Sequence, residues 1–354
     1  YTQKLLEVMG DEVLWEKQSS KAKEFASKFD VKNIAPKWLE EVKPVSSPKV
    51  SIITPTIRQG FWNIMAHNIA NQTYKNIEWI VVDDFKGKRS SIMGEYCRKH
   101  GVDNWQYVRP PKRSVERKYG LSSANNVGIK ASSGELLIWL QDFVLMPQDG
   151  VERLVDLYRH HPYDFLAPVD YYYQPKIKPD TSSEDWFNER LDVVGTLMRK
   201  NVRAKRLGIR YSEVVTDLEL NYAAIPKKLL DDLNGFWEFY DDALGFDDTE
   251  IVYRGFELGA RLVIDDTNIA TCIDHWNALE NNPEQHGDSR THNLNDPRFY
   301  YMIQKMKKGE LPVVRTQEID DSIDLKYTIP PNLDKDEAVE YMRENMERII
   351  AQWQ

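Results

Sequence analysis

The sequence predicts an α/β fold, a mostly parallel sheet flanked by helices, with a helical extension in front of it and a helical tail behind. Three observations carry this expectation. Apolar runs of strand type alternate with helix-period segments from residue 50 to residue 140. The run L-L-I-W-L at 136–140 is apolar at every position, as a strand covered on both faces must be. Pro44, Ser46, Ser47 and Pro48 separate this alternating region from the Lys- and Glu-rich residues before it.

Residues 1–44 read as helices with Leu5, Val8, Val13, Leu14 and Phe25 spaced for one buried face. The run V-S-I-I-T at 50–54, stopped by Pro55, is the first strand. A helix over 61–72, a strand over 77–82, a helix over 89–100 and a strand over 105–109 follow, then a helix over 122–132 that leads into the strand at 136–140. After residue 165 the periodicity loosens. Tyr171, Tyr172 and Tyr173, the charged stretch 176–192 and the basic stretch 199–210 read as long irregular segments of the kind that shape binding surfaces. A-R-L-V-I at 260–264 reads as a strand, 309–333 as a polar linker with Pro312, Pro330 and Pro331, and the residues from 334 as an exposed helix. The expected division is 1–48, 49–280 with a boundary between halves at 165 and 166, and 281–354.

The 354 residues, 41% of them hydrophobic, suffice for a substantial core. No run approaches the roughly 18 to 20 apolar residues of a bilayer span, and the first residues show neither a basic n-region nor an apolar h-region, so no membrane segment is expected. Cys97 and Cys272 lie far apart without a His or Cys at metal-site spacing. That argues against a disulfide framework or structural zinc and for a reducing, cytoplasmic setting. A formal charge of −9 argues against binding nucleic acid through the overall field, though a local strip such as Lys112, Arg113, Arg117 and Lys118 stays open to an anion.

Open α/β sheets bind ligands beyond the carboxyl ends of their strands. Three such ends carry acids or special turns: Pro55, Thr56, Ile57 and Arg58 after the first run, Asp83 and Asp84 after the second, and Gln141, Asp142 and Phe143 after the L-L-I-W-L strand. They are expected on one rim. Downstream, Gly245, Phe246, Asp247 and Asp248 open a helix that continues through Glu250, Tyr253 and Arg254. The positive end of a helix favours an anion, so a carboxylate there is expected to remain ionised and able to act as a base; N-capping by Asp247 is the structural alternative.

Four segments, V-S-I-I-T-P-T, W-I-V-V-D-D, L-S-S-A-N-N-V-G-I-K-A-S-S-G-E-L-L-I-W-L-Q-D and G-F-D-D-T-E-I-V-Y-R-G-F-E-L-G-A-R-L-V, follow the order and spacing of family 2 glycosyltransferases. From about residue 50 to residue 275 the chain resembles that family. The resemblance implies a Rossmann-like GT-A fold and an inverting hexosyl or pentosyl transfer. The donor would be a nucleoside-diphosphate sugar, UDP-linked in the family's usual pattern, and the acceptor a hydroxyl of a glycan, a modified nucleobase or another small molecule. It makes 49–165 the nucleotide half, 166–280 the acceptor and catalytic half, and 281–354 a lid and helical tail.

Residue by residue, the resemblance places Asp83 or Asp84 against a ring N–H of the base, with Pro55, Thr56 and Arg58 in the same donor pocket. A turn-forming Asp is the alternative for that pair. Asn125 and Asn126 stand where the family usually has Arg-Asn and would orient the donor, with capping or packing equally open. The family's D-x-D or D-D-D metal motif is altered here to Gln141, Asp142 and Phe143, which leaves Asp142 as the ligand of Mn²⁺ or Mg²⁺ and Gln141 beside the donor. His275, in the family's order of strand, short loop and His, would complete the metal shell. His286 and His292 are weaker candidates. In a metal-free alternative the Lys112, Arg113, Arg117 and Lys118 strip neutralises the diphosphate, unless it is only a solvated loop. Asp248 matches the catalytic base and Asp247 its partner. Trp237 and the three consecutive tyrosines would be stacking surfaces or core.

Two other function classes compete. A nucleotidyltransferase shares such a sheet but needs a Gly-rich loop after the first strand, where T-P-T-I-R-Q-G offers only Gly60. A non-catalytic nucleotide-sugar-binding module with a decayed metal site would account for Gln141 and Phe143; the retained Asp142 and the Asp247, Asp248 pair speak against it.

Overall fold

In a computed structural model of the protein, residues 11–27, 47–56, 61–84, 89–110, 120–173, 199–200, 208–241, 245–273, 295–318 and 340 are described. The chain divides into two compact units, Tyr1–Ser47 and Pro48–Gln354. The described part of the first is one helix, α1 (Glu12–Ser27). The second contains strands β1 (Val50–Thr56), β2 (Ile77–Asp83), β3 (Trp105–Val108), β4 (Leu136–Leu140), β5 (Val144–Leu145), β6 (Phe165–Tyr173), β7 (Arg199–Lys200), β8 (Ile209–Ser212), β9 (Tyr222–Pro226) and β10 (Leu262–Ile273). Its helices are α2 (Trp62–Ala70), α3 (Ser90–His100), α4 (Leu121–Ala131), α5 (Gly150–His160), α6 (Lys227–Leu233), α7 (Asp247–Glu257) and α8 (Asn295–Lys307).

The strands form one mixed sheet in the order β3-β2-β1-β4-β9-β6-β10-β5. β1 to β4 are mutually parallel, and β9 enters antiparallel beside β4. The L-L-I-W-L strand lies inside this order and is buried throughout, as its unbroken apolar pattern requires. Side chains alternate across the pleat, so Ile52, Val81 and Ile138 enter one core with α2, α3 and α5, while Ile53, Ile80 and Trp139 enter the other with α4, α6 and α7. On the first face α5 inserts Val151, Leu154, Val155 and Leu157, spaced three and four apart. On the second, α4 approaches β1 closely because Gly128 has no side chain; a Cβ there would lie 2.5 Å from Ile53 Cγ2.

The expected elements from 61 to 140 are present with small differences at their ends. Two readings need correction. The segment from 165 reads as irregular, yet β6 runs unbroken through the three tyrosines because it pairs with β10 from Phe165 opposite Leu262 to Tyr173 opposite Ile273. Pairing within a sheet overrides a weak local pattern. Residues 309–318 read as the start of a polar linker, yet Leu311 and Arg315 are buried and α8 packs Phe299, Met302 and Met306 against Trp237, Phe239 and Tyr240. The stretches 176–192 and 319–333 and the helix expected from 334 lie outside the described residues, apart from residue 340.

A buried polar knot fixes α7. Arg254, with no exposed surface, binds both oxygens of the equally buried Glu250 one turn earlier. It also donates Nη1–H to the carbonyls of Leu233 (3.1 Å) and Val313 (3.3 Å) and Nη2–H to that of Gly235 (2.8 Å). All five guanidinium donors are thereby used, and the guanidinium stands 5.7 Å from the centre of the Trp237 ring. The 233–235 turn it holds is left-handed at Asn234 and Gly235. A second buried acid, Glu78, accepts from Ser51 Oγ (2.6 Å), the Ser133 amide (2.7 Å) and Lys49 Nζ (2.8 Å) near the amino ends of β1 and β4, away from the rim where ligands bind.

Truncating Arg254→Ala removes both guanidinium bonds to the buried Glu250, and equilibrium urea unfolding is expected to show a loss of about 3–5 kcal/mol. For Glu78, burial opposes ionisation, but the bonds from Lys49, Ser51 and Ser133 outweigh it and bring the acid from 4.5 to about 2. Its stabilising contribution is therefore complete above pH 4.5 and vanishes as pH falls toward 2. Glu78→Gln is expected to cost about 2 kcal/mol at neutral pH and to flatten the acid limb of the stability curve.

Candidate active site

The carboxyl ends of the parallel strands place three expected residues side by side. Thr56 ends β1 directly opposite Asp83 at the end of β2, and the Asp84 amide donates to the Thr56 carbonyl at 2.9 Å. Asp142 follows β4, which runs parallel to β1 on its other side. The Thr56 hydroxyl donates to Asp142 Oδ2 at 2.6 Å. Thr56, Asp83 and Asp142 are all buried, and Asp84 is half-buried. Pro55 is buried within β1, next in the chain to Thr56. Gln141 is half-buried and its amide donates to the Asn221 carbonyl, which ties this turn to the start of β9. Arg58 lies outside the described residues.

Asp83 carries a partner set that its sequence neighbours did not announce. Arg89 grips it in a fork, Nε to Oδ2 at 2.9 Å and Nη2 to Oδ1 at 2.6 Å, and the Tyr107 hydroxyl adds a bond to Oδ2 at 2.6 Å. A bidentate guanidinium fixes a carboxylate in orientation. Burial and the bond to Asp83 push the Tyr107 phenol upward, so it stays protonated and donating. The basic residue six positions after Asp83 is the one sequence signal for this pairing; Tyr107 becomes visible only when β3 pairs with β2.

Asn125 and Asn126 sit on α4 and do different work. Asn125 Oδ1 accepts from the Trp139 indole at 3.1 Å, while its buried Nδ2 has no hydrogen-bond partner among the described residues. Asn126 is consumed by packing: Oδ1 accepts the Phe236 amide at 2.8 Å, and Nδ2 donates to the Phe236 carbonyl and Glu238 Oε1, both at 2.9 Å. Gly235 is the only residue type that fits above it, since a Cβ would fall 2.4 Å from Asn126 Oδ1 and the backbone there has φ 76°.

The acid pair at the start of α7 lies on the same side of the sheet as the strand ends. α4 connects the parallel strands β3 and β4, so its amino end points to their carboxyl rim. That amino end is capped from 119 residues away: Asp241 Oδ1 accepts the Ser122 amide at 3.0 Å and the Ser123 amide at 3.3 Å. The charges of Asp241 and Asp248 both act on Asp247. α7 begins after two left-handed residues, Gly245 (φ 83°) and Phe246 (φ 70°). For Phe246 that backbone is strained, and its ring rests 5.3 Å from Phe299 of α8. Asp247 is the first helical residue, not the N-cap, and the N-cap residue Phe246 makes no side-chain capping bond.

A helix end favours an ionised carboxylate, but at Asp247 its surroundings act against that. Burial, then repulsion from Asp248 and Asp241, raises it to about 8 against the pull of nearby amides. Asp248 Oδ1 accepts the Thr249 amide at 2.7 Å and the Thr249 hydroxyl at 3.3 Å. Trp237 is fully buried in the cluster under α8, so it offers no stacking surface. His275, His286, His292 and the strip Lys112, Arg113, Arg117 and Lys118 lie outside the described residues. Among the described residues no three His, Cys, Asp or Glu side chains are grouped to hold a metal ion. No described helix is long and apolar enough to cross a membrane.

Residues 51–217 match Glycosyl transferase family 2. A 93-residue stretch is 33% identical to an uncharacterized glycosyltransferase of Rickettsia bellii (strain RML369-C), spanning 26% of this chain and 12% of that protein. Among solved structures, S. aureus TarS 1-349 in complex with UDP-GlcNAc is similar at 16% identity over 78% of this chain and 70% of its own, with a TM-score of 0.50. The mannosyltransferase PcManGT of Pyrobaculum calidifontis, in complex with GDP-Man and Mn²⁺, is similar at 18% identity over 94% of this chain and 85% of its own, with a TM-score of 0.49. The match to the family thus lies in residues 51–217, and the likeness to TarS is one of fold.

Asp241→Ala removes the carboxylate that caps α4, leaving two amide donors buried beside the acid pair. Urea unfolding is expected to show a loss of about 1–2 kcal/mol, against about half that for Asp241→Asn, whose side-chain oxygen still accepts.

Proposed function

We propose that the protein transfers a hexosyl or pentosyl group, with inversion, from a nucleoside-diphosphate sugar to an acceptor hydroxyl. The observation that carries this reading is the row of Thr56, Asp83 and Asp142 along one strand rim, with the acid-bearing end of α7 on the same side. Pro55, Thr56 and the Asp83–Asp84 pair line the base pocket, and the family resemblance alone adds Arg58, which lies outside the described residues. Asp83 is committed to Arg89 and Tyr107, so base recognition is assigned to Asp84, with Asp83 holding the pocket wall. Gln141, Asp142 and Asn125 face the donor's polar part; the buried, unpartnered Nδ2 of Asn125 supports a donor role for it, while the bonds of Asn126 support a positioning role. UDP is the base carrier the family resemblance favours, and a glycan or a small hydroxyl compound the acceptor. Cys97 and Cys272, both buried and not joined in a disulfide, support a reducing, cytoplasmic setting.

In the reaction, Asp248 takes the proton of the acceptor hydroxyl as its oxygen bonds to the anomeric carbon. The bond from that carbon to the diphosphate oxygen breaks with its electron pair, and a nucleoside diphosphate leaves. A hard cation suits a buried carboxylate, but the described residues supply few ligands. Asp142, with His275 beyond the described residues, would hold Mn²⁺ or Mg²⁺ mainly through the donor's own phosphates, and the ion would offset the leaving group's charge.

The reading is tested by incubating the protein with a panel of nucleotide sugars, with and without Mn²⁺, alongside Asp248→Ala and Asp142→Ala. Wild-type turnover of one donor is expected, with Asp248→Ala slower by about 100-fold or more while its thermal shift with the nucleotide is kept. Asp142→Ala is expected to weaken nucleotide binding itself. Nucleotide-dependent shifts with no turnover of any donor would instead support a binding module.

A further inference from the structure

We propose that Asp247 holds a proton at neutral pH and presents it as a hydrogen-bond donor to an oxygen of the sugar or of its acceptor, beside an ionised Asp248. The identity of the ligand rests on the transferase reading; the location of the proton does not. The charges of Asp248 and Asp241 both act on Asp247 near the amino ends of α4 and α7, and the surroundings of the three carboxyl groups differ. Asp241 accepts two amide N–H groups from α4, and Asp248 accepts an amide and a hydroxyl from Thr249, so each has donors that favour an anion. Asp247 is only 7% exposed, and its Oδ2 has no hydrogen-bond partner among the described residues.

A buried oxygen with no donor, next to two carboxylates, is the place where a shared proton costs least. The charged groups that act on it are Asp248 on its own helix and Asp241 from the turn after Trp237. The amides of Asp247 and Asp248 at the helix start oppose them. The cation on the same helix, Arg254, is spent on Glu250 and on backbone carbonyls. From α8, the contact at this helix start is the ring of Phe299 against Phe246, which lowers the local polarity without offering a donor. Burial and these two neighbours are what lift the group to about 8. A carboxylic acid kept neutral in this way both donates and accepts, which suits a sugar hydroxyl or an anionic phosphate oxygen better than a second negative charge would. Asp247 moves no proton in the transfer step; it orients the oxygen it touches and leaves Asp248 as the single base.

The native state then holds a proton that the unfolded chain releases near 3.8, so the contribution of Asp247 to stability falls as pH rises between 3.8 and about 8 and levels off above. Urea midpoints of the wild type and Asp247→Asn, compared from pH 5 to pH 9, read this directly, because all other titrating groups are common to both. The advantage of the Asn variant is expected to grow steadily with pH up to about 8. Parallel midpoints across the range overturn the proposal whatever the activity. In turnover of the donor found for the wild type, the Asn variant, which keeps an N–H donor, is expected to run about tenfold faster than Asp247→Ala and to lack the wild type's decline above pH 8. Equal rates for Asn and Ala also overturn the donor role. Diverging midpoints with no turnover of any nucleotide sugar in any variant would place the failure in the transferase reading and leave the proton where it is assigned.

Discussion

The second half of the site depends on one buried guanidinium. Arg254 spends all five of its N–H donors on Glu250 and on the carbonyls of residues 233, 235 and 313, and so joins α7, the turn after α6 and the segment after α8 at one point. A charge this deep is tolerated only when every donor is used. The same turn is clasped on its other side by Asn126 of α4, and Arg315 closes the circuit through Glu238. The position of α7 relative to α4, and with it the position of Asp247 and Asp248 relative to the strand ends, is set by this network more than by apolar contact alone, because hydrogen bonds fix direction where packing fixes only distance.

The acids of the rim are sorted by their donors. Asp83 is held by a fork and a phenol, Asp142 by a threonine hydroxyl, Asp241 by a helix end, and Asp248 by the residue that follows it. Asp247 stands apart because burial gives its Oδ2 no such neighbour among the described residues. One helix end therefore holds two carboxyl groups in contrasting surroundings, the arrangement on which the proposed pairing of a base with a neutral donor rests. The left-handed backbone at Phe246, braced by Phe299, is the local distortion through which the chain reaches that arrangement.

Much of this was legible in the sequence, for physical reasons that also mark where legibility ends. Period-2 and period-3.6 patterns are strong between residues 50 and 140, where each strand and helix buries a whole face, and there the elements were readable to within a few residues. β6 was not, because its tyrosines and Pro168 become part of a strand only through pairing with β10. Strand ends were readable too, since apolar runs that stop at Pro55-Thr56, Asp83-Asp84 and Gln141-Asp142 must stop on one rim if the strands are parallel. Hidden from the sequence were the partners: Asp241 lies 119 residues from the helix it caps, and Tyr107 reaches Asp83 across two strands. The upward shift of Asp247 was hidden because the helix-end rule reads one field, while burial and then the adjacent Asp248 carboxylate supply the opposing one.

The central claim is that the strand-end residues Asp84 and Asp142 and the helix-end residue Asp248 serve one nucleotide sugar. A crystal structure with the nucleoside diphosphate that gives the largest thermal shift addresses it most directly. The account predicts the base against Asp84, the diphosphate extending toward Asp142, and the open end of the diphosphate turned toward the start of α7. A nucleotide bound elsewhere, or one whose diphosphate points away from α7, would contradict it.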